Sequence, residues 1–257
     1  MSTTLRKSLR ILESLATSET PRGISELSRE INLNKSAVQR IFQTLSEEGY
    51  IEKEADTSRY RPTLRLWELG SRVIAQNQAR RLLHPLLRYA AKISGLTIFL
   101  AWADYPDVIY LDKIEGEKGR ANSSDTGQRL AMHQAASGRA ILAFLDAKAI
   151  DDVVAQLPKT ASAGEGVSRQ ELLDELAIVR ERMFAATERG TASRISSIAA
   201  PIWGPGPIPV GSIVLTSDAQ TLPRSDFDRI GAIAMNVAEQ GTRVLGGSYP
   251  VTEGEAP

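Results

Sequence analysis

Cysteine is absent from this sequence of 257 residues, and only two histidines occur, His84 and His133. Without cysteine there is no disulfide, no thiolate nucleophile and no cysteine-bound zinc, and two histidines are too few for a histidine-rich metal centre. Neither histidine stands in a recognised catalytic motif, and we expect both to be structural. The sequence therefore predicts a protein with no metal, no cofactor and no enzymatic activity.

Long hydrophobic segments are also missing. The longest stretch without charge, residues 195–217, contains Pro201, Pro205, Pro207 and Pro209, which a single membrane-spanning helix would not tolerate. The N-terminus lacks the apolar core of a secretion signal. Hydrophobic residues make up 42% of the chain and charged residues 24%, values typical of globular proteins. We expect a cytoplasmic protein of one or two domains with no membrane partner.

The formal net charge of zero conceals an asymmetry along the chain. The first 81 residues contain 14 lysines and arginines against 10 acidic residues, whereas the remaining 176 contain 17 against 21. The N-terminal part thus has a surplus of four positive charges and the rest an equal negative surplus. This split favours contact between the N-terminal part and a polyanion.

Periodicity over the first 62 residues predicts three helices followed by two short strands. The first helix, residues 5–17, is expected to turn Leu5, Leu9, Leu12 and Ala16 towards the core, with Ile11 and Leu15 beside them. Asn34 is a suitable N-cap for the third helix, and Gly49 a suitable left-handed residue at its end. The third helix has one apolar stripe, which consists of Val38, Ile41, Phe42 and Leu45.

The polar side of the third helix must then face outwards. It carries side chains that hydrogen-bond to base edges or phosphates in a major groove. The two strands form a wing with two arginines, suited to the DNA backbone or the minor groove. A helical subdomain with a merely solvated polar face is the alternative, but the tight turn and the arginines favour DNA binding. The candidate DNA-binding residues are Lys35, Ser36, Gln39, Arg40, Gln43, Arg59 and Arg61.

Helices and strands alternate irregularly in the remaining sequence, which indicates an α+β domain. Ser168 and Glu171 form a capping box before an amphipathic helix. The segments 116–127 and 159–166 are polar and are expected to be loops. Helices are predicted over 64–78, 80–94 (interrupted at Pro85), 136–145, 149–157, 169–183 and 226–245, and strands over 97–103, 108–114, 195–203 and 208–217.

Several segments share the pattern of a known family. They are residues 24–31 (ISELSREI), 33–50 (LNKSAVQRIFQTLSEEGY), 132–144 (MHQAASGRAILAF) and 197–202 (SIAAPI). The sequence resembles the IclR family of bacterial transcriptional regulators, and the segments occur in the order found in that family. Together they bracket most of the chain.

The resemblance implies a winged helix-turn-helix domain over residues 1–62, a linker helix over 63–79 and an effector-binding domain over 80–247. A flexible tail over 248–257 would follow. The effector-binding domain would have a GAF-like antiparallel sheet flanked by helices. Such proteins bind pseudo-palindromic operators as dimers or tetramers, and they regulate operons, here expected to be catabolic, in response to small organic or aromatic acids.

The resemblance also implies an effector site at the start of the helix near residue 136 and on two strands. Free amides at a helix start can hold a carboxylate, and strand hydroxyls can add hydrogen bonds. The residues concerned are Ala136, Ser137, Ser197, Val214 and Thr216. The sequence departs from the family at Thr187 and Gly190, where acids are common, and Arg189 or Arg194 could contact an anion instead.

Two other functions remain compatible with the sequence. The chain could be a metabolite-sensing module that acts through protein partners. For the effector site, the alternative is that Ser197 and Thr216 are ordinary sheet residues. It could also be an enzyme with an N-terminal dimerisation appendage, although the absence of a catalytic motif argues against this. Turnover by the isolated C-terminal domain would favour the enzyme, and failure to bind any DNA while still binding a metabolite would favour the sensor.

Overall fold

The computed structural model describes residues 3–119, 124–155, 168–189 and 195–250. The chain divides into two compact units, Met1–Gln76 and Asn77–Pro257. The division falls inside the predicted linker helix. The predicted loop at 159–166, Gly190, Arg194, the side chain of Arg189 and residues 251–257 of the predicted tail lie outside the described residues.

The first unit contains the predicted three helices and the two-stranded wing. A cluster of buried side chains, among them Ile11, Leu27, Val38 and Phe42, joins the helices to the first strand of the wing. The wing strands pair antiparallel, with Glu52 opposite Arg61. The elements are α1 (Thr3–Ala16), α2 (Ile24–Glu30), α3 (Lys35–Glu47), β1 (Ile51–Lys53), β2 (Tyr60–Pro62) and α4 (Arg65–Gln76).

The caps of α3 confirm the interpretation of the sequence. Asn34 Oδ1 accepts a hydrogen bond from the Ala37 amide at 2.8 Å, which satisfies one of the free donors at the helix start. Gly49 follows the helix with φ of +74°, a conformation that glycine adopts without the steric cost of a side chain. The helix therefore begins and ends where its sequence predicts.

The predicted core face of α1 is wrong in part. Leu5 and Leu9 are 60% and 50% exposed, whereas Ile11 and Leu15 are buried. At about 100° of rotation per residue, Leu9 and Ile11 lie on different sides of the helix, and only one of these sides can pack on α2 and α3. The helix thus leaves part of its apolar surface outside the core of its own unit.

The second unit is built on one six-stranded sheet in which all neighbouring strands are antiparallel. The strand order is β5-β4-β3-β8-β7-β6. This arrangement confirms the predicted α+β class with an antiparallel sheet flanked by helices. The elements are α5 (Gln78–Ser94), β3 (Thr97–Asp104), β4 (Asp107–Ile114), β5 (Arg129–Ala131), α6 (Ala136–Leu142), α7 (Ala147–Val154), α8 (Arg169–Arg182), β6 (Ala185–Arg189), β7 (Ile195–Trp203), β8 (Pro209–Asp218) and α9 (Phe227–Val244).

Helices cover both faces of this sheet. On one face, Phe99, Ala199 and Val214 belong to a buried cluster with residues of α6, α7 and α8, and we call this the α6 face. On the opposite face lie α5 and α9, and Leu83 and Ile202 both approach Gly241 of α9. Because side chains alternate along a strand, every second residue of the central strands points to the α6 face.

Several predicted elements of the second unit need correction. Helix α5 runs through Pro85 without an interruption, because packing on the sheet outweighs the one backbone hydrogen bond that proline removes. The edge strands β5 and β6 are absent from the sequence prediction, which assigns residues 129–131 and 185–189 to no helix or strand. The sequence of β6, Ala185–Arg189, has low strand propensity, and pairing with β7 makes it a strand.

Membrane-spanning proteins and metalloproteins are two classes that the sequence disfavours. Within the described residues, no helix has both the length and the apolar character needed to cross a bilayer. In the same part of the chain, no three acidic or histidine side chains come together in a way that could hold a metal ion.

Candidate functional site

The polar side of α3 is solvent-exposed along its whole length. The predicted DNA-binding residues of this helix, Lys35, Ser36, Gln39, Arg40 and Gln43, are all exposed, while the apolar stripe is buried beneath them. Neither cation on the helix, at positions 35 and 40, forms an ion pair with any described carboxylate. Both charges are therefore available to an anionic partner such as a phosphate.

Two of these side chains have local partners on their own helix. Ser36 Oγ donates to Asn34 Oδ1 at 3.1 Å, next to the capped start of α3. Gln43 Nε2 donates to Glu47 Oε1 at 2.9 Å, one turn further along. Both contacts are solvent-exposed, and the i,i+4 pair of Gln43 with Glu47 stabilises a helix by only about 0.2–0.5 kcal/mol, so it can be exchanged for a contact with DNA.

The two wing arginines occupy different environments. Arg61 is exposed, and its Nε lies 2.7 Å from Glu52 Oε1 on the neighbouring strand. Arg59 Nη1 donates to the Pro21 carbonyl oxygen at 2.9 Å and lies 3.5 Å from Glu26 Oε2. Arg59 thus ties the wing to the segment before α2, whereas Arg61 makes only a surface ion pair among the residues that the structure describes.

A charge network connects α1 with α2 in the same unit. Arg22 Nε lies 2.5 Å from Glu26 Oε1, and its guanidinium also pairs with Glu30. The hydrogen bond to Glu30 raises the pKa of Arg22. Ser14 Oγ donates to Glu30 at 2.7 Å, and this bond together with Arg22 lowers the pKa of the Glu30 carboxyl. Arg22 is therefore a structural cation, unlike the cations of α3.

A row of hydroxyl side chains crosses the α6 face of the sheet. Thr187, Ser197, Thr216 and Thr97 are successive cross-strand partners on β6, β7, β8 and β3. Ser197 Oγ lies 3.0 Å from Thr216 Oγ1, and the Thr216 hydroxyl donates to the Ser196 carbonyl oxygen at 2.9 Å. Thr216 is buried, whereas Ser197 and Thr187 are partly exposed. Thr97 is a member of this row that the sequence did not single out, and Thr187 is a position at which the sequence departs from the family.

The start of α6 lies against this face. Ala136 and Ser137 are buried, and Ser137 accepts a hydrogen bond at its carbonyl oxygen from Ser212 Oγ at 3.0 Å. Ser137 Oγ is buried and has no hydrogen-bond partner among the described residues. A Cβ at Gly138 would lie 2.2 Å from Met132 Cα, so only glycine allows this close approach. The structure thus brings Ser137 to the same sheet face as Thr216.

Val214 lies in the row next to the hydroxyls. Its cross-strand partners are Phe99 and Ala199, and Phe99 is in turn opposite Lys113 on β4. The Phe99 ring stacks on Tyr110, with the ring centroids 4.3 Å apart. Lys113, which the sequence did not single out, therefore shares the α6 face. The alternation of side chains along β4 does not by itself predict that Lys113 lies on this face. The reason is a bulge in β4 opposite Leu100 and Ala101, which shifts the alternation.

Both histidines make structural contacts. His84 Nδ1 lies 2.7 Å from the buried Asp112, which also pairs with Arg80 at 3.2 Å and so joins α5 to β4. The His133 carbonyl oxygen accepts from Arg139 Nε at 2.9 Å, and Arg139 also pairs with Glu175 of α8. The contact of His84 is made by its ring and that of His133 by its main chain, and the structural role of both side chains stays a prediction.

The first unit presents an exposed, cationic helix beside a wing, and the second unit of the same chain is a separate sheet domain. This combination defines the class of two-domain transcriptional regulators. Comparison with known proteins specifies the family. Residues 4–55 match the model of the IclR helix-turn-helix domain, and residues 71–243 match that of the bacterial transcriptional regulator IclR C-terminal domain. The chain belongs to the IclR family of DNA-binding transcriptional regulators, which is not a family of enzymes.

Individual relatives agree with this assignment. The chain is 28% identical over 182 residues to the HTH-type transcriptional regulator KdgR of Dickeya chrysanthemi, a match that covers 70% of this chain and 60% of that relative. Less than two thirds of that relative's length is therefore matched. The crystal structure of Thermotoga maritima IclR superposes with a TM-score of 0.72 and 26% identity, over 96% of this chain and all of that one.

One solved structure of the same fold contains a small molecule. It is an IclR homologue from Microbacterium hydrocarbonoxydans complexed with 4-hydroxybenzoate, with a TM-score of 0.74, 21% identity, and coverage of 94% of this chain and 99% of that one. At this identity the likeness concerns the fold. The family resemblance and the fold class inferred from the sequence are both confirmed.

Proposed function

We propose that this chain is an effector-responsive regulator of a catabolic operon, and that it reads its operator with α3 in the major groove. The observation that carries the proposal is the exposed face of α3, on which Lys35 and Arg40 have no described carboxylate partner. Gln39 lies between them and can hydrogen-bond to a base edge, most often adenine. Ser36 and Lys35 at the start of the helix are placed for phosphate contacts. Gln43 extends the same face.

The wing adds contacts outside the major groove. Arg61 is held only by a surface ion pair with Glu52, and such pairs are worth little, about 0–1 kcal/mol. It can leave this partner for a phosphate or the minor groove. Arg59 is already bonded to Pro21, and its contribution to DNA binding is largely to fix the direction of the wing.

We further propose that the chain binds DNA as a dimer, which can assemble into a tetramer. None of the residues of α4 is buried, although Trp67 and Val73 are large and apolar and are 72% and 69% exposed. Leu5 and Leu9 leave a second apolar surface on α1. A two-fold pair of such units would place two α3 helices about 34 Å apart on a pseudo-palindrome.

The effector is proposed to bind at the α6 face of the second unit. The hydroxyl row and the unpartnered Ser137 Oγ provide polar groups in an apolar setting, as small-molecule sites do. The fold neighbour with 4-hydroxybenzoate supports an organic or aromatic acid as the class of ligand. The residues proposed to contact it are Ala136, Ser137, Ser197, Val214 and Thr216.

The proposal is tested by selecting genomic fragments that bind the purified chain and measuring their affinity by fluorescence anisotropy. We expect Gln39→Ala and Arg40→Ala to weaken the selected site by about tenfold each, since a bidentate base contact is worth about 1–3 kcal/mol. Arg88→Ala, an exposed arginine of α5, is the matched control and should leave affinity unchanged. Addition of a bound organic acid should change the affinity of the wild-type chain.

Unchanged affinity in both α3 variants, with their fold intact, would contradict the assignment of α3. A chain that binds organic acids but selects no DNA would instead support the alternative of a sensor acting through protein partners.

A further inference from the structure

A lysine whose side chain is mostly shielded from solvent lies on the α6 face, and the proposed function does not use it. The side chain of Lys113 on β4 is only 16% exposed. It lies opposite Phe99 in the sheet, and its ammonium is 5.8 Å from the centre of the Phe99 ring. It is therefore a cation held over an aromatic side chain on the face where the effector is proposed to bind.

The anions that neutralise Lys113 are much more exposed than the lysine itself. Lys113 Nζ lies 3.0 Å from Asp125 Oδ1 and 3.1 Å from Glu115 Oε1, and these two side chains are 79% and 72% exposed. Burial works against the charge of Lys113, yet hydrogen bonds to Asp125 and Glu115 hold the pKa of the ammonium above its usual value. The lysine remains charged, and its partners come from the solvent side.

This asymmetry makes the two carboxylates replaceable. An ammonium on a mostly shielded side chain has little access to water and so favours an anionic partner, because an unpaired charge away from water is costly. An exposed aspartate or glutamate loses little when it is released, because water solvates it. A carboxylate that approaches from the α6 face can therefore take the place of Asp125 or Glu115 at small net cost.

We propose that Lys113 is the anion-binding group of the effector site and that the carboxylate of the effector replaces Asp125 and Glu115 on its ammonium. The inference rests on the proposed function, since it presumes that a small molecule binds the α6 face. The ligand class it assigns is a carboxylate, and the stacked Phe99 and Tyr110 rings beside the ammonium also suit a flat or apolar body next to that carboxylate.

The hydrogen bonds of Ser197 and Thr216, in the row of hydroxyls on the same face, further restrict the class of ligand. Each hydroxyl has one proton. Thr216 donates its proton to the Ser196 carbonyl oxygen, so the 3.0 Å contact between Ser197 and Thr216 requires the proton of Ser197. The partly exposed Ser197 oxygen then offers only lone pairs to a ligand. A ligand that also contacts Ser197 must donate a hydrogen bond, and a hydroxylated carboxylate meets both conditions.

The test measures binding of benzoate, 4-hydroxybenzoate and gluconate by isothermal titration calorimetry at constant ionic strength, with 4-hydroxybenzamide as the neutral analogue. We expect saturable binding of at least one carboxylate and much weaker binding of the amide. Lys113→Met should weaken carboxylate binding about tenfold or more, because it removes a charge-assisted hydrogen bond, and Lys113→Arg should retain it. Lys92→Met, at an exposed lysine of α5, is the matched control.

A second variant distinguishes ligand binding from a purely structural ion pair. The double substitution Asp125→Asn with Glu115→Gln removes the internal competitors, and we expect it to bind the carboxylates a few-fold more tightly than the wild-type chain. A structural role alone predicts no such gain. This variant keeps the lysine, so the test stands even if Lys113→Met folds poorly.

Three outcomes would overturn the inference. They are no saturable binding by any of the three carboxylates, equal binding by the wild-type chain and Lys113→Met, or no gain in the double variant. The proposed function is tested by other measurements. They are the DNA affinity of the α3 variants and the change in DNA affinity caused by any effector, including a neutral one. Failure of the Lys113 inference can therefore be told apart from failure of the proposed function.

Discussion

The hydroxyl of Ser197 lies 3.0 Å from that of Thr216 on the neighbouring strand, and the Thr216 hydroxyl is committed to the Ser196 carbonyl oxygen. The three groups form a directed chain of hydrogen bonds that begins at the partly exposed Ser197 and ends in the buried sheet. Because each link has a fixed donor, removal of the middle group affects both neighbours.

Thr216→Val should therefore destabilise the second unit by about 1–3 kcal/mol, because two hydrogen bonds are lost while the volume is nearly kept. The free energy of unfolding measured in urea gives the comparison. Thr97→Val is the matched control, since Thr97 is buried in the same row and its hydroxyl makes no hydrogen bond to a described residue. Equal losses in the two variants would show that the directed chain adds no stability.

Local patterns predicted the first unit well, because its elements are set by short-range chemistry. Asn34 as a cap, Gly49 with positive φ and the stripe of α3 each depend on neighbours within a few residues. The face of α1 was mispredicted because Leu5 and Leu9 are as apolar as Ile11, and only packing on α2 and α3 decides which of them is buried.

The site in the second unit could be predicted only in part. Ser197 and Thr216 came from the family resemblance, and their contact requires the register between β7 and β8. Lys113 could not be found from the sequence, because a bulge between Leu100 and Ala101 shifts the pairing of β4 and so decides which residues share a face with Phe99. Long-range pairing of this kind leaves no periodic signal in one strand.

The two wing arginines should respond differently to removal. Arg61→Ala should weaken DNA binding uniformly across sequences and reduce the slope of log K against log salt by about one, because one phosphate contact is lost. Arg59→Ala should also increase amide exchange in the wing, since its bond to the Pro21 carbonyl oxygen is lost. Anisotropy titrations at several salt concentrations, together with hydrogen exchange, separate the two effects. Identical behaviour of the two variants in both measurements would contradict their different roles.

Glu30 should make the contact between α1 and α2 sensitive to acid. Its pKa is lowered in the folded chain by Ser14 and Arg22, so its stabilising contribution is complete above the ordinary carboxyl pKa of about 4.3. The contribution is lost as pH falls through the lowered folded value. Compared at the same pH, Glu30→Gln should increase amide exchange in α2 at about pH 7.

The difference between Glu30→Gln and the wild-type chain should shrink as pH falls below the lowered folded pKa of Glu30, because the carboxyl is then protonated in both the folded and the unfolded chain. The effect is expected to be small, since the carboxylate is partly exposed. Glu19→Gln, at a glutamate without a described ion pair, is the control. A difference between the variant and the wild-type chain that grows as pH falls would contradict the assigned sign.

The apolar face of α4 gives a direct test of self-association. Val73→Glu places a charge among exposed apolar residues, and burying that charge in an interface would be costly, so we expect the dimer to dissociate at protein concentrations where the wild-type chain is dimeric. Sedimentation velocity measures the two species. Ala75→Glu is the matched control, because it adds the same charge about 200° around the same helix.

If Val73→Glu sediments like the wild-type chain, α4 takes no part in the dimer. If instead Val73→Glu is monomeric and Ala75→Glu is not, the affinity of Val73→Glu for a palindromic operator should fall further than its affinity for an isolated half-site. A dimer contacts both half-sites at once, whereas a monomer must bind each of them independently, and the linked second contact raises the local concentration of the second recognition helix. The ratio of the two affinities therefore reports on the dimer separately from the base contacts of α3.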